Sequence, residues 1–83
     1  MLTSTWRGKN RAIVTVLTAS RREAGLTQRD LVARLPAWLG WDQTTLAKVE
    51  SGRRRLDLVE FMEIAKALKL EPTVLFARIT NWR

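Results

Sequence analysis

The sequence is divided at short intervals by residues that begin and end helices. Thr27, Asp42 and Asp57 are of the kind that cap a helix N-terminus, and each precedes a run of helix-forming residues. Gly25 and Gly52 stand where two preceding helices would end, since glycine readily adopts the left-handed conformation found after a helix. Because these signals recur so closely, each helix can have only a few turns.

We predict helices over residues 11–24, 28–35, 43–51 and 58–69, and a fifth helix that opens at Glu71-Pro72. Asn10 would cap the first helix. Pro36 should end or kink the second near residue 35, because proline disfavours a helical conformation in the residue before it. The fold class is therefore all-α, a five-helix bundle over residues 10–80. Residues 1–9 would form an N-terminal arm and residues 81–83 a C-terminal tail.

The apolar residues of these segments recur three or four positions apart, which places them on one face of each helix. Ser20 interrupts the face of the first helix, where a small residue would allow close packing. The residues expected to face the core are Ile13, Val16, Leu17, Ala24, Leu31, Leu35, Leu46, Val49, Val59, Met62, Ala65, Leu68, Val74, Leu75 and Ile79, with Phe61 and Ile64 flanking the fourth helix.

The chain has no cysteine and no histidine among its 83 residues. It can form neither a disulfide nor a cysteine-based zinc site, and it has no imidazole to serve as general base or metal ligand. We therefore expect a protein that is not an enzyme and that uses no metal and no cofactor. A chain without cysteine also fits a reducing compartment, and we expect a cytoplasmic location.

The charge of the chain is strongly basic and unevenly distributed. The net charge is +7, and all of the excess lies in residues 1–55, since residues 56–83 carry equal numbers of basic and acidic side chains. A basic surface of this kind attracts polyanions such as nucleic acid. The alternative is a charged surface that serves only solubility.

No segment is long enough to span a membrane. The longest nearly apolar run, Ala12 to Ala19, is far shorter than the ~20 residues required. It follows Lys9 and Arg11, as the apolar part of a signal peptide would, but Thr15 and Thr18 interrupt it. We therefore expect neither a membrane protein nor a signal peptide.

An ordered set of residues runs through the middle of the chain. It consists of Arg21, then Gly25-Leu26-Thr27-Gln28 with Leu31, then Gln43-Thr44-Thr45-Leu46, then Val49-Glu50-Ser51-Gly52, then Arg54 to Phe61 and Ile64 to Leu68. Over about residues 12–79 the chain resembles the Cro/CI-type helix-turn-helix family, also called the XRE family. The resemblance implies a lambda-repressor-like domain whose recognition helix enters the DNA major groove.

The chain departs from the family pattern between the second and third helices. About four extra residues, drawn from Pro36-Ala37-Trp38-Leu39, precede Gly40. Leu31, Leu35 and Leu39 are spaced by four, so the second helix could continue through a proline kink. Alternatively, Pro36 starts a separate short turn.

The resemblance implies that residues 43–51 form the recognition helix. The family residue that matches Gln43 often reads a base, and a glutamine amide suits N7 and N6 of adenine. Thr44 and Lys48 are the next candidates for base contact. The alternative for all three is a merely solvated helix face.

The family also suggests contacts with the DNA backbone. The counterpart of Gln28 often touches phosphate and braces the residue that matches Gln43, and Thr27 and Arg29 lie beside it. We expect Arg53, Arg54 and Arg55 to bind phosphate as well, because guanidinium groups pair with it bidentately. The alternative is that they offset the dipole of the third helix.

Arg21 and Glu50 match a family pair that forms a partly buried ion pair between the first and third helices. We therefore assign them a structural role rather than a DNA contact.

We expect different roles for the aromatic residues in three parts of the chain. Trp41 replaces a small apolar residue of the turn and should join the core. Trp38 belongs to the extra residues and could cap the core, meet a partner or touch DNA. Phe76, Ile79 and Trp82 form a spare apolar strip near the C-terminus and are candidate dimer contacts.

Taken together, these features predict a homodimeric transcriptional regulator, a repressor, that binds a palindromic operator. It would lie with the nucleoid of a bacterium or a phage-infected cell. We expect no inducer domain to follow, so that regulation would come from the protein level, from competition or from a partner protein. One alternative is an antitoxin that binds a toxin and represses its own operon. Another is a protein-interaction module that no longer binds DNA.

Overall fold

The computed structural model describes residues 4–82, and this part of the chain contains α-helices and no strand, as predicted. The helices are α1 (Ser4–Glu23), α2 (Gln28–Ala33), α3 (Gln43–Glu50), α4 (Leu58–Ala67) and α5 (Pro72–Thr80), with a short 3-10 turn at Ala37–Leu39. Helix α1 packs against α3 and α5, α2 packs against α3, and α4 packs against α5. The bundle therefore places α2 beside α3, and α3 against the long first helix.

Helix α1 begins well before the predicted start. Residues 4–9, which we assigned to an arm, are helical, and Asn10 lies inside the helix instead of capping it. The extension is anchored at Trp6, which is half-buried beneath the guanidinium group of Arg55. Residues 1–3 of the predicted arm and Arg83 of the predicted tail lie outside the described residues.

The predicted caps of the middle helices are confirmed. Thr27 and Asp30 form a reciprocal capping box at the start of α2, and Asp57 and Glu60 form another at the start of α4. The Asp42 side chain accepts a hydrogen bond from the backbone of Thr45 and caps α3. Each such cap contributes about 1 kcal/mol to helix stability.

The extra residues between α2 and α3 form a separate turn, so the second of the two alternatives is correct. Helix α2 ends at Ala33, and Pro36 stands in an extended conformation before the 3-10 turn. Gly40 closes that turn with φ 74°, a left-handed conformation that glycine adopts without strain. The insertion is therefore absorbed in a compact bend, and α3 begins at the predicted residue.

The core is formed by one stripe from each helix. The buried apolar residues are Val16, Leu17, Leu31, Leu46, Val49, Phe61, Ile64, Ala65, Ala67, Leu68 and Leu75, with Ile13, Leu26, Val32, Leu35, Trp41, Leu56, Leu70 and Ile79 packed against them. Ser20 is buried within this surface and accepts a hydrogen bond from Arg78 of α5. A small polar residue at this place thus ties α1 to α5.

Part of the predicted core was wrong. Val59, Met62, Val74 and Ala24 are exposed. In α4 and its C-cap the buried apolar positions are 61, 64, 65, 67 and 68, and they include a complete i, i+3, i+4, i+7 stripe at 61, 64, 65 and 68. Phe61 and Ile64, which we placed beside the core, therefore define it, and the register of α4 is rotated from the one predicted.

Candidate nucleic-acid interface

Helix α3 has one buried face and one exposed polar face. Leu46 and Val49 are each 1% exposed and anchor it to the core. Gln43, Thr44 and Lys48 are exposed on the helix surface. The helix therefore presents all three predicted base-contact residues to solvent.

The side chain of Gln43 is held in place by two residues of α2. Its Oε1 atom accepts a hydrogen bond from Nε of Arg29 at 2.9 Å, and its Nε2 atom donates one to Oε1 of Gln28 at 3.3 Å. Both contacts join α2 to the first turn of α3. The amide group of Gln43 is thus oriented before any ligand arrives.

These contacts continue into the protein through Glu50. Gln28 donates from Nε2 to Oε1 of Glu50 at 2.9 Å. Arg21 donates to the same carboxylate from Nε at 2.8 Å and from Nη2 at 3.0 Å. We call Arg21, Glu50, Gln28, Gln43 and Arg29 the polar chain, because each is hydrogen-bonded to the next.

The Arg21–Glu50 pair is the buried end of the polar chain. The two side chains are only 8% and 7% exposed. The hydrogen bonds that Arg21 donates to Glu50 raise the pKa of Arg21, and Nη1 of Arg21 also donates to the backbone oxygen of Leu26 at 2.8 Å. Removing one member would leave the other charge buried without a partner. The pair therefore holds α1 and α3 together, and α2 is joined to them through the bond from Gln28 to Glu50.

Arg54, one of the three arginines that we expect to bind phosphate, is paired with a carboxylate within the protein. Its guanidinium group donates to Oε1 of Glu60 at 3.1 Å and to Oε2 at 2.8 Å. These bonds lower the pKa of Glu60 and raise that of Arg54. Arg54 is therefore an internal partner of the α4 cap.

Trp41 completes this second cluster. It is half-buried against the core, its Nε1 atom donates to Glu60 at 3.3 Å, and Arg54 lies 5.1 Å from the centre of its ring. Trp41 thus packs against the core as predicted, but its contacts with Arg54 and Glu60 were missed. No periodicity in the sequence connects these three residues.

Arg53 and Arg55 remain exposed on the turn that follows α3. Nε of Arg53 donates to Oγ of Ser51 at 3.1 Å, and Arg55 lies 5.0 Å from the centre of the Trp6 ring. Neither arginine pairs with a carboxylate within the described residues. Both guanidinium groups therefore remain available to an anionic ligand.

The predicted backbone contacts on α2 are also engaged within the protein. Thr27 is exposed, and its hydroxyl oxygen accepts from the backbone of Asp30 at 3.0 Å. Gln28 is half-buried, and both ends of its amide are bonded. Gln28 is therefore better placed to position Gln43 than to reach outward.

The carboxylates act as caps and ion-pair partners. Backbone hydrogen bonds from Thr27 and Thr45 lower the pKa values of Asp30 and Asp42, respectively. Among residues 4–82, no group of three or more carboxylates comes together as a potential metal site.

The structure separates the three predicted dimer residues. Phe76 and Ile79 line an apolar groove of about 290 Å³ together with Ile13, Leu56 and Leu58. Trp82 lies instead over α1, in a groove of about 260 Å³ that includes Ser20 and Arg78. Trp38, on the 3-10 turn, is 67% exposed and belongs to neither groove.

Comparison with known proteins places this arrangement in a family. Residues 17–75 match a family model described as "Helix-turn-helix" (HTH_3). An XRE-family like protein from Pseudomonas syringae pv. tomato str. DC3000 has a similar solved structure, with a TM-score of 0.75 and 33% sequence identity. The match covers 88% of this chain and 84% of that one. No curated protein matches the chain.

Within residues 4–82 no helix is long and apolar enough to cross a membrane.

Proposed function

The chain belongs to the XRE family of helix-turn-helix proteins, a family of DNA-binding transcriptional regulators, and we propose that it reads a specific duplex sequence through α3. The observation that carries this proposal is the fixed orientation of Gln43 on the exposed face of that helix. A side chain that is already ordered loses little entropy when it binds a base.

Three side chains of α3 are proposed to contact base edges. Gln43 is exposed, and its amide keeps a second N–H and a second oxygen lone pair beyond those bonded to Gln28 and Arg29. The N–H can donate to N7 of adenine, and the oxygen can accept from N6. Thr44 offers a hydroxyl group and a methyl group, of which the latter can pack on the methyl group of thymine. Lys48, one turn further along, can reach guanine or a phosphate.

Contacts with the DNA backbone are proposed for a smaller set than the sequence suggested. Arg53 and Arg55 keep this role because both are exposed and neither pairs with a carboxylate of residues 4–82. Thr27 and Arg29 lie at the exposed start of α2 and keep it as well. Gln28 is retained as a brace for Gln43, and Arg54 is left out because Glu60 occupies its guanidinium group.

We further propose that the protein acts as a dimer on a palindromic operator and represses by occupying it. One domain reads only a few base pairs, and a two-fold dimer doubles the site, with recognition helices about 34 Å apart. The exposed apolar groove around Leu58 and Phe76, which are 73% and 59% exposed, supports a contact at that surface.

Binding is tested by fluorescence anisotropy with labelled duplex DNA over a range of salt concentrations. Affinity should fall steeply with salt, because bound phosphates release counterions. Replacing Arg53 and Arg55 by Gln should weaken all duplexes alike and lower the slope of log K against log salt by about 2. Lys66→Gln with Lys69→Gln removes the same charge from α4 and the turn after it, outside the proposed contacts, and should change neither. Absence of duplex binding at low salt would contradict the proposal.

Dimerisation is tested by sedimentation at micromolar concentration, with and without DNA. Phe76→Ala and Trp82→Ala probe the two grooves separately, because the structure places these residues in different ones. The variant that becomes monomeric identifies the interface. A wild-type chain that stays monomeric in both conditions and protects a single half-site would contradict both the proposed dimer and the proposed palindromic operator.

A further inference from the structure

The helical extension at the start of α1 creates a groove that the family resemblance does not account for. The groove holds about 490 Å³ and lies between α1 and the turn after α3. Its α1 wall includes Trp6, Arg7 and Arg11, and its opposite wall includes Ser51, Gly52 and Arg53. We call it the α1–turn groove.

The two walls are in contact, so the groove has a defined shape. Arg55 of the turn lies 5.0 Å from the centre of the Trp6 ring. Deeper along α1, a Cβ atom on Gly52 would come to 3.7 Å from Nδ2 of Asn10, which shows how closely helix and turn approach. The extension is therefore packed against the turn and does not project into solvent.

The groove has a strongly positive lining. Arg7, Arg11 and Arg53 line it, and no acidic residue does. All three are exposed, and none pairs with a carboxylate of residues 4–82. Guanidinium groups in this state can bind the oxygens of a phosphate or a carboxylate, because their forked donors match both, and the repeated phosphates of duplex DNA offer several such partners at once.

The stripe of α1 that lines the groove continues toward the proposed recognition helix and carries a further arginine at its far end. Arg7, Arg11, Val14, Thr18 and Arg22 follow one another at spacings of three and four, on one stripe of the helix. Val14 also lines a second groove of about 310 Å³ with Thr18, Arg22 and Glu50, the last residue of α3. From Arg7 to Arg22 the stripe is about 22 Å long, which exceeds the rise of several successive phosphates on one strand.

We propose that the α1–turn groove is a second phosphate-binding site, which holds the DNA backbone beside the major groove that α3 enters. This inference rests on the proposed function. It extends the contact beyond the recognition helix and the turn to the first helix. It also gives the extended start of α1 a role, since that segment carries Arg7 and brings Trp6 against Arg55 of the turn.

The test is the double variant Arg7→Gln with Arg11→Gln, with Lys66→Gln and Lys69→Gln as the control of equal charge. Affinity for a long duplex should fall at least several-fold in the double variant, with a salt slope lower by about 1 to 2 and an unchanged base preference. Arg7→Lys with Arg11→Lys keeps the charge and should recover most of the salt slope. On a duplex trimmed to the bases that α3 contacts, wild type and double variant should bind equally.

The outcomes separate this proposal from the one on which it rests. If wild type binds long duplex with a base preference and the double variant matches it in affinity and salt slope, the α1–turn groove is not a DNA contact, whereas the proposed function stands. If wild type binds no duplex, the proposed function fails first.

A second experiment tests whether other anions bind in the groove. Inorganic phosphate or a poly-glutamate peptide is titrated, and binding is followed by the Trp6 indole NMR signal. A shift by poly-glutamate as large as that by duplex would also overturn the assignment to DNA, whereas inorganic phosphate, which resembles one backbone contact, should shift the signal less than duplex.

Discussion

The Nε atom of Arg29 lies 2.9 Å from Oε1 of Gln43 and donates a hydrogen bond to it. The bond joins α2 to the first turn of α3, and with Gln28 on its other side the Gln43 amide is fixed at both ends. A base-reading side chain whose orientation depends on two neighbours should lose specificity when either neighbour is removed.

Arg29 and Gln43 should therefore be energetically coupled in DNA binding. Gln43→Ala should weaken binding to the preferred site by about 1–3 kcal/mol. Arg29→Ala should weaken it as well, and the double variant should lose less than the sum of the two, with a coupling of about 0.5–3 kcal/mol. The measurement is a double-mutant cycle by fluorescence anisotropy on the preferred duplex. Strict additivity would show that the hydrogen bond plays no part in binding.

Adjacent arginines of the turn should have different effects on stability. Arg54→Ala removes the guanidinium partner of the Glu60 carboxylate and should lower the free energy of unfolding by about 1–3 kcal/mol. Arg53→Ala removes only an exposed contact with Ser51 and should change the free energy of unfolding by no more than about 0.5 kcal/mol. Urea unfolding followed by tryptophan fluorescence measures both, and equal effects would contradict the assignment of Arg54 to the α4 cap.

Acid should destabilise the fold partly through Glu60. The bonds from Arg54 lower the pKa of Glu60 in the folded state, so its stabilising contribution is complete above the pKa of an unfolded glutamate, about 4.3. That contribution is lost as the pH falls through the lower folded pKa. Glu60→Gln should therefore be less stable than wild type at pH 7 and should lose less stability on acidification to pH ~3. Parallel stability curves for the two proteins would contradict this.

Lys69 is in a left-handed backbone conformation, with φ 59°, directly after α4. A residue with a Cβ atom is strained there, and glycine is not. Lys69→Gly should raise the free energy of unfolding by roughly 0.5–1 kcal/mol, whereas Lys66→Gly, inside α4, should lower it by about 1 kcal/mol. Thermal unfolding of the two variants measures the contrast, and a loss of stability in Lys69→Gly would refute the strain.

The fold was largely predictable because the helix boundaries depend on local chemistry. Thr27, Asp42 and Asp57 cap helices through side-chain contacts with residues three positions away, and such contacts are visible in sequence. The rotation of α4 was not predictable, since apolar residues at 59, 62 and 65 offered a second stripe. Only packing against α5 decides between the two, and that information lies outside the segment.

The candidate site, like the fold, could be predicted only in part. The Arg21–Glu50 pair came from the family resemblance, and the structure brings the two side chains together. The Arg54–Glu60 pair and the start of α1 at Ser4 were missed, because each depends on long-range contacts with Trp41 or Trp6. A run of three arginines gives no sign of which member folds back and which two stay exposed.

The most direct test of the central claim is selection of bound duplexes from a random pool by wild type and by Gln43→Ala. Reading of a base by Gln43 predicts a defined motif for wild type, and a motif relaxed at one position per half-site for the variant, with non-specific affinity nearly unchanged. The same motif from both proteins, or no enriched motif from wild type, would contradict the role assigned to α3.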